Sequence, residues 1–286
     1  NILVGIDFSP ASLNAFRYAA SLGARYGSCL RLIHAYRPTL LEPHLDFGMQ
    51  SALLAQQEAL ALRHFEELKG TLAQEHRDRL KFEFEIALGA PSEVILDSAK
   101  VLNPDLLVVG AKGGRVWLKK LLGSTTQALI QQAEHPLLVV PELARYRGFE
   151  HIAYATDHQG DDIRVIDEVL YFAKQNRARL SCVHVRNQQA SWEETYQQEL
   201  LKRAYYYDLT HENIHFDVIT DKDVVEGLAH YNRWEHVDLM VMMTHHRSRI
   251  GQLFHKSYCK TLSLNTEIPL WIYPQEKALE VYLHKI

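Results

Sequence analysis

The clearest chemistry in this chain lies in a set of spaced glycines with hydroxyls behind them. Gly110-Ala111-Lys112-Gly113 follows the apolar run Leu106 to Val109, and after nine intervening residues come Gly123, Ser124 and Thr125. The spacing is G-x2-G-x9-G-S. Glycines let the backbone approach an anion closely and present unobstructed N–H groups. Ser124 and Thr125 add hydroxyl donors where a helix over about Ser124 to Glu134 should begin, and a helix N-terminus favours negative charge. The pattern describes a phosphate cradle; glycines that serve only tight turns and a cap are the alternative. Lys112, Arg115, Lys119 and Lys120 in the intervening loop would screen a polyphosphate, or stand as solvated charges. Asp7 follows the first apolar run. A carboxylate at the end of a buried strand is costly without partners, which a ribose hydroxyl or Mg²⁺ would supply. Its alternative is a carboxylate that complements a helix dipole.

The elements that must position these residues are repeated. Asn1-Ile2-Leu3-Val4-Gly5-Ile6-Asp7 reappears as His151-Ile152-Ala153-Tyr154-Ala155-Thr156-Asp157, and Leu30 to His34 reappears as Leu180 to His184, both at an offset of 150. Further on the offset is 133, pairing Pro104 to Val109 with Val237 to Met242 and Pro136 to Pro141 with Pro269 to Pro274. The length difference falls between the second and third strands, where the first half has a long loop around Arg37 to Gln50. Ile2 to Ile6, Leu30 to Ala35, Phe82 to Ala87, Leu106 to Val109 and Leu137 to Val140 read as five strands. Most are continuous apolar runs, as strands covered on both faces should be. Ser9-Pro10 reads as an N-cap with proline at the first helical position, and Leu13, Phe16, Ala20 and Ala24 follow at helical spacing. The alternation predicts an α/β fold: two repeated doubly wound domains, each a five-stranded parallel sheet with helices on both faces. Ligands of such sheets bind beyond the carboxyl ends of the strands, near the switch in strand order.

Repeated α/β halves, an Asp closing the first strand and G-x2-G-x9-G-S after the fourth resemble the universal stress protein family, in a tandem two-domain form with an adenine nucleotide alpha hydrolase-like fold. The resemblance implies ATP, with Mg²⁺, bound in the first half. It places Asp7 near the nucleoside and Ala35 where backbone contacts adenine. Val109, Gly110, Gly113, Gly123, Ser124 and Thr125 match the segment around ribose and phosphates. It also implies a stress-response signalling or protective binding module rather than a metabolic enzyme. No nucleophile elbow and no Walker lysine after the last glycine is present, so at most slow ATP hydrolysis is expected.

The second half departs from this pattern. At offset 133 the three glycines become Met243, His246 and Lys256, while Ser257 stays. Side chains project where backbone should touch phosphate, so ATP is not expected there in the same mode. A decayed, structural copy is one reading. A changed ligand is the other: Asp157, His158 and His246, near His184, His245 and His255, would converge on one crevice. Asp and neutral His ligate Zn²⁺, although no compact ligand spacing is present. His34 and His184 each end a second strand and read as packing or backbone hydrogen bonds.

Composition narrows the remaining classes. The chain has 286 residues, 31 basic against 35 acidic side chains and a net charge of -4, without a basic run. A nucleic-acid partner is therefore not expected, and no apolar stretch has the length of a membrane span. Three cysteines, Cys29, Cys182 and Cys259, make no disulfide framework or metal spacing. A reducing, cytoplasmic setting is expected; the start at Asn1 without Met leaves a trimmed leader open. The domains are expected at 1–143 and 149–275, with a tail at 276–286, and cleavage between Pro141 and Glu150 should give two folded fragments. A single mixed sheet through both halves would contradict that separation. Leu137 to Val140 and Leu270 to Ile272 would be edge strands, which either pair within the chain or serve a homodimer. Two other functions compete: an interaction scaffold with incidental nucleotide, and a metal-dependent hydrolase using the histidine-rich half.

Overall fold

The computed structural model describes residues 1–36, 47–112, 123–156, 162–186, 214–244 and 268–274. The first half runs β1 (Ile2–Gly5), α1 (Pro10–Tyr26), β2 (Cys29–Tyr36), α2 (Phe47–Gly70), α3 (Gln74–Arg79), β3 (Lys81–Leu88), α4 (Pro91–Leu102), β4 (Leu106–Ala111), α5 (Ser124–Gln132) and β5 (Leu137–Pro141). The second runs β6 (His151–Ala155), α6 (Asp162–Asn176), β7 (Arg179–Arg186), β8 (Ile214–Thr220), α7 (Val224–Glu235), β9 (Leu239–Thr244) and β10 (Leu270–Pro274).

Local chemistry sets these boundaries. The Ser9 hydroxyl accepts from the Ser12 N–H at the start of α1, and Pro10 opens the helix without wasting a donor. Gly27, at φ 62°, takes the left-handed turn that ends it, returning its N–H to the Gly23 carbonyl. Ala15, Phe16, Ala19 and Ala20 are fully buried on the inner face of α1. Val94 and Ile95 of α4 and Leu129 and Ile130 of α5 pack into a separate core on the opposite face of the sheet. The strand between two such layers must be apolar throughout, which is why β1, β5 and β6 are buried at every residue.

Each half has the strand order 3-2-1-4-5, with every pairing inside a half parallel. The halves are joined by β5 and β10, which pair antiparallel to make one ten-stranded sheet. Each half keeps its expected five-stranded parallel sheet, and the two edges pair within the chain, one of the two expected arrangements. What is corrected is the expectation that no single mixed sheet runs through both halves. Each half leaves a fifth strand with an unpaired edge, and the two edges satisfy one another within the chain. In the register Leu138 faces Trp271, its own counterpart in the repeat. Counterparts also meet at the ends of α1 and α6. The Arg25 guanidinium donates to the Gln175 carbonyl at 3.1 Å, and the Asn176 amide donates to the Tyr26 hydroxyl at 2.8 Å. A pseudo-twofold axis therefore runs through this junction, the self-complementary geometry of a symmetric dimer. The outer strands of the sheet are β3 and β8.

Candidate functional site

In the first half the strand order reverses between β1, which is followed by α1, and β4, which is followed by α5. The ends of β1, β2 and β4 and the starts of α1, α4 and α5 enclose a cleft of about 330 Å³. It brings together Asp7, Ala35, Val109, Gly110, Gly123, Ser124 and Thr125, residues far apart in sequence. Gly113, the remaining first-half candidate, lies outside the described residues. The lining also includes Ser9, Ser12, Pro91, Ile95, Lys112 and Thr126. Of these only Lys112 and the capping Ser9 carried a signal in the sequence. The others reach the cleft because a helix start follows each strand end.

The cleft is graded across the sheet. Ile33 and Ala35 of β2 and Ile95 of α4 line one part, with Val109 of β4 buried in the same core as Ile33 and Ile95. On the β4 side are Gly110, Lys112 and the start of α5. Gly123 occupies the cap position of α5 and, lacking a side chain, gives the helix no side-chain cap bond. The first backbone bond there is Gln127 N–H to the Gly123 carbonyl at 3.0 Å, leaving the amides of Ser124, Thr125 and Thr126 ahead of the helical ladder. An uncapped start with aligned peptide dipoles favours an anion. By contrast, α1 is capped by its own Ser9.

The two described glycines of the motif differ physically. A β-carbon on Gly110 would sit 2.4 Å from the Ala11 carbonyl carbon and oxygen and 2.6 Å from the Ser12 nitrogen. Gly110 therefore lets the first turn of α1 lie directly on β4. Gly123 has φ -58° and ψ 155°, which any residue adopts, and a β-carbon there meets nothing within 4 Å. Among the described residues, neither packing nor backbone conformation calls for glycine at Gly123.

Asp7 is exposed at the cleft mouth, not buried, so the burial cost inferred from its place after β1 does not require an outside partner. Its Oδ1 accepts from the Ser9 N–H at 2.9 Å. Partial desolvation pushes the carboxyl pKa up, but hydrogen bonds from the Ser9 and Ser12 side chains and the Ser9 and Asp7 amides outweigh it, and the net shift is downward. A depressed folded pKa adds stability that is complete above the ordinary carboxylate value of 3.8 and lost as pH falls through the lower folded value. In acid titrations monitored by circular dichroism, Asp7→Asn is expected to lose that acid limb and to match the parent at the lowest pH.

His34 and His184 occupy equivalent places. His34 Nδ1 lies 2.8 Å from the Ile6 carbonyl and His184 Nδ1 lies 3.0 Å from the Thr156 carbonyl, so each ring donates to the preceding strand's end. His151 is also structural, with Nε2 2.9 Å from the Ser181 hydroxyl and Nδ1 3.0 Å from the Glu235 carbonyl. Asp157, His158 and His246, the candidate metal ligands, lie outside the described residues, as do His245, His255, Lys256 and Ser257. Among the described residues no three metal-ligating side chains gather. Met243, standing where the first half has Gly110, is buried at 1% exposure in the same core as Val165 and Ile166 of α6. No described helix is long and apolar enough to cross a membrane.

A duplicated, doubly wound α/β chain with a glycine-lined cleft at its switch point defines a recognisable class. The family model for the universal stress protein family matches residues 1–141 and 148–274. The chain belongs to that family, as a tandem of two copies. It is 28% identical over 146 residues to a universal stress protein of Thermus aquaticus, across 49% of this chain and 96% of the relative. A universal stress protein of Mycolicibacterium smegmatis is 29% identical over 144 residues, 49% of this chain and 47% of that protein, so the match spans about half its length. A universal stress protein of Archaeoglobus fulgidus superposes with a TM-score of 0.73, covering 96% of this chain and 98% of its own, at 14% identity. That likeness is one of fold.

Proposed function

We propose that the first half binds ATP, with Mg²⁺, and that the protein is a stress-response binding module that signals or protects through the bound state. The observation that carries this reading is Gly123. It is a glycine with open space in front of it, at an uncapped helix start, in the same cleft as Asp7, Ala35, Val109 and Gly110. Polarity sets the orientation. The apolar surface of Ile33, Ile95 and Val109 suits a purine, with the Ala35 backbone at its edge. Asp7 stands between the two sides, where ribose hydroxyls would meet it. Phosphates would lie against Gly110, Gly113 and Gly123 and the amides and hydroxyls of Ser124 and Thr125, with Lys112 beside them.

The functional unit extends over 1–143, and the second unit, 149–275, does not hold ATP in this mode. The buried Met243 supports that asymmetry, because a side chain fills the position nearest the strand end. The protein acts by binding: the described lining of the cleft supplies donors for an anion from the start of α5, Ser124, Thr125 and Lys112. The test is the chain as purified from cells. Denaturation followed by mass spectrometry should release about one adenine nucleotide per chain. A chain that carries none, and takes up none when incubated with Mg·ATP, would refute the reading.

A further inference from the structure

A second cleft, of about 200 Å³, lies between α2 and the ends of β2 and β3. It shares no lining residue with the glycine cleft, yet the two are adjacent in the chain: Asp7 lines one and Phe8 the other. Phe8, His34, His64 and Ile86 form much of its wall, Gln57 and Glu58 of α2 add an amide and a carboxylate, and its described lining contains no Lys or Arg. A phosphate or carboxylate ligand therefore has no counter-charge here. Leu60 and Leu88 line it while 43% and 60% exposed, so apolar surface is left open to water at this cleft.

Phe8 itself is unusual. Its φ of 59° lies in the left-handed region, which a bulky residue enters only when its surroundings hold it there. The holding contacts are rings: His34 at 4.9 Å, His64 at 5.1 Å and Phe65 at 5.4 Å between centroids. His34 spends its Nδ1 proton on the Ile6 carbonyl, so in the neutral ring Nε2 keeps a lone pair and can accept.

From these observations we infer that the second cleft binds a small planar aromatic ring bearing one N–H or O–H donor. The ring lies among Phe8, His34 and His64, with its donor on a histidine nitrogen. Size supports the class, because the cleft holds a one- or two-ring compound and is smaller than typical drug-sized pockets. Aromatic pairs add offset or edge contacts beyond simple burial. A ring packed against Phe8 presses on the one residue whose strained backbone connects to Asp7. Occupancy therefore reaches the Asp7–Ser9 turn of the neighbouring cleft. The inference does not depend on nucleotide binding.

The test is titration of the full chain with indole, without nucleotide, followed by amide NMR. Saturable shifts of the Phe8, His64 and Ser9 amides are expected, with a dissociation constant of about 1 mM or below for so small a ligand. 1-Methylindole, which lacks the donor, should bind about threefold more weakly or worse. Leu88→Glu and Leu60→Glu, both at exposed positions, should each abolish saturation. No saturation up to about 10 mM indole, or saturation unchanged in both variants, would overturn the site. Equal binding of 1-methylindole would overturn the donor requirement, and an unmoved Ser9 amide would overturn the link to Asp7.

Discussion

Gly110→Ala is expected to destabilise the ligand-free protein by about 3 kcal/mol, at the upper end of ordinary overpacking costs. The added methyl would lie 2.4 Å from the backbone of Ala11, and backbone cannot swing aside as a flexible side chain can. The first turn of α1 must lift from β4. That motion also strains the Ser9 cap and the Asn14 side chain, whose amide donates to the Pro141 and Ala144 carbonyls at 2.8 Å each. A loss of this size is a large share of a typical stability of about 5–15 kcal/mol. The denaturant midpoint of the apo protein should fall well below that of the parent. An unchanged midpoint would show that α1 does not depend on this contact.

Gly123→Val has the opposite signature. The substituent enters open space at an ordinary backbone conformation, so the apo protein should lose less than about 1 kcal/mol, the scale of a poor helix-cap residue. ATP affinity should fall at least tenfold, about 1.4 kcal/mol, because the branched side chain occupies the path of the phosphates. The two glycines belong to one sequence motif and are predicted to act on different quantities, one on folding and the other on affinity. A Gly123→Val protein that melts early and binds ATP normally would reverse this assignment.

That distinction was not legible in the sequence. Spacing alone reads Gly110 and Gly123 as parts of one motif. The contact that requires Gly110 comes from Ala11, on a helix about a hundred residues earlier. Asp7 follows β1 closely enough to read as the end of a buried strand, but β1 ends at Gly5 and the carboxylate faces solvent. It is bonded to the Ser9 N–H before α1, which is the other reading its position allows. What was legible rests on short-range physics. Continuous apolar runs mark strands covered on both faces, and Ser9-Pro10 marks the start of α1 by its own cap geometry. The repeat offsets assigned the same winding to both halves. They also mark β5 and β10 as edges that either pair within the chain or serve a homodimer, and the choice between the two is a tertiary outcome. Only the structure shows Leu138 opposite Trp271 and one sheet through both halves. The outer β3 and β8 have only intermediate and exposed residues and none buried, unlike the central strands.

The central claim is asymmetric nucleotide binding: a cleft in the first half that takes ATP, and a second half that does not in the same way. Isothermal titration of the full chain with Mg·ATP tests it most directly, with Gly123→Val as its partner experiment. The account predicts a stoichiometry of one ATP per chain in the parent and at least a tenfold loss of affinity in Gly123→Val. Two equivalent ATP sites per chain, or undiminished binding in a correctly folded Gly123→Val protein, would contradict it.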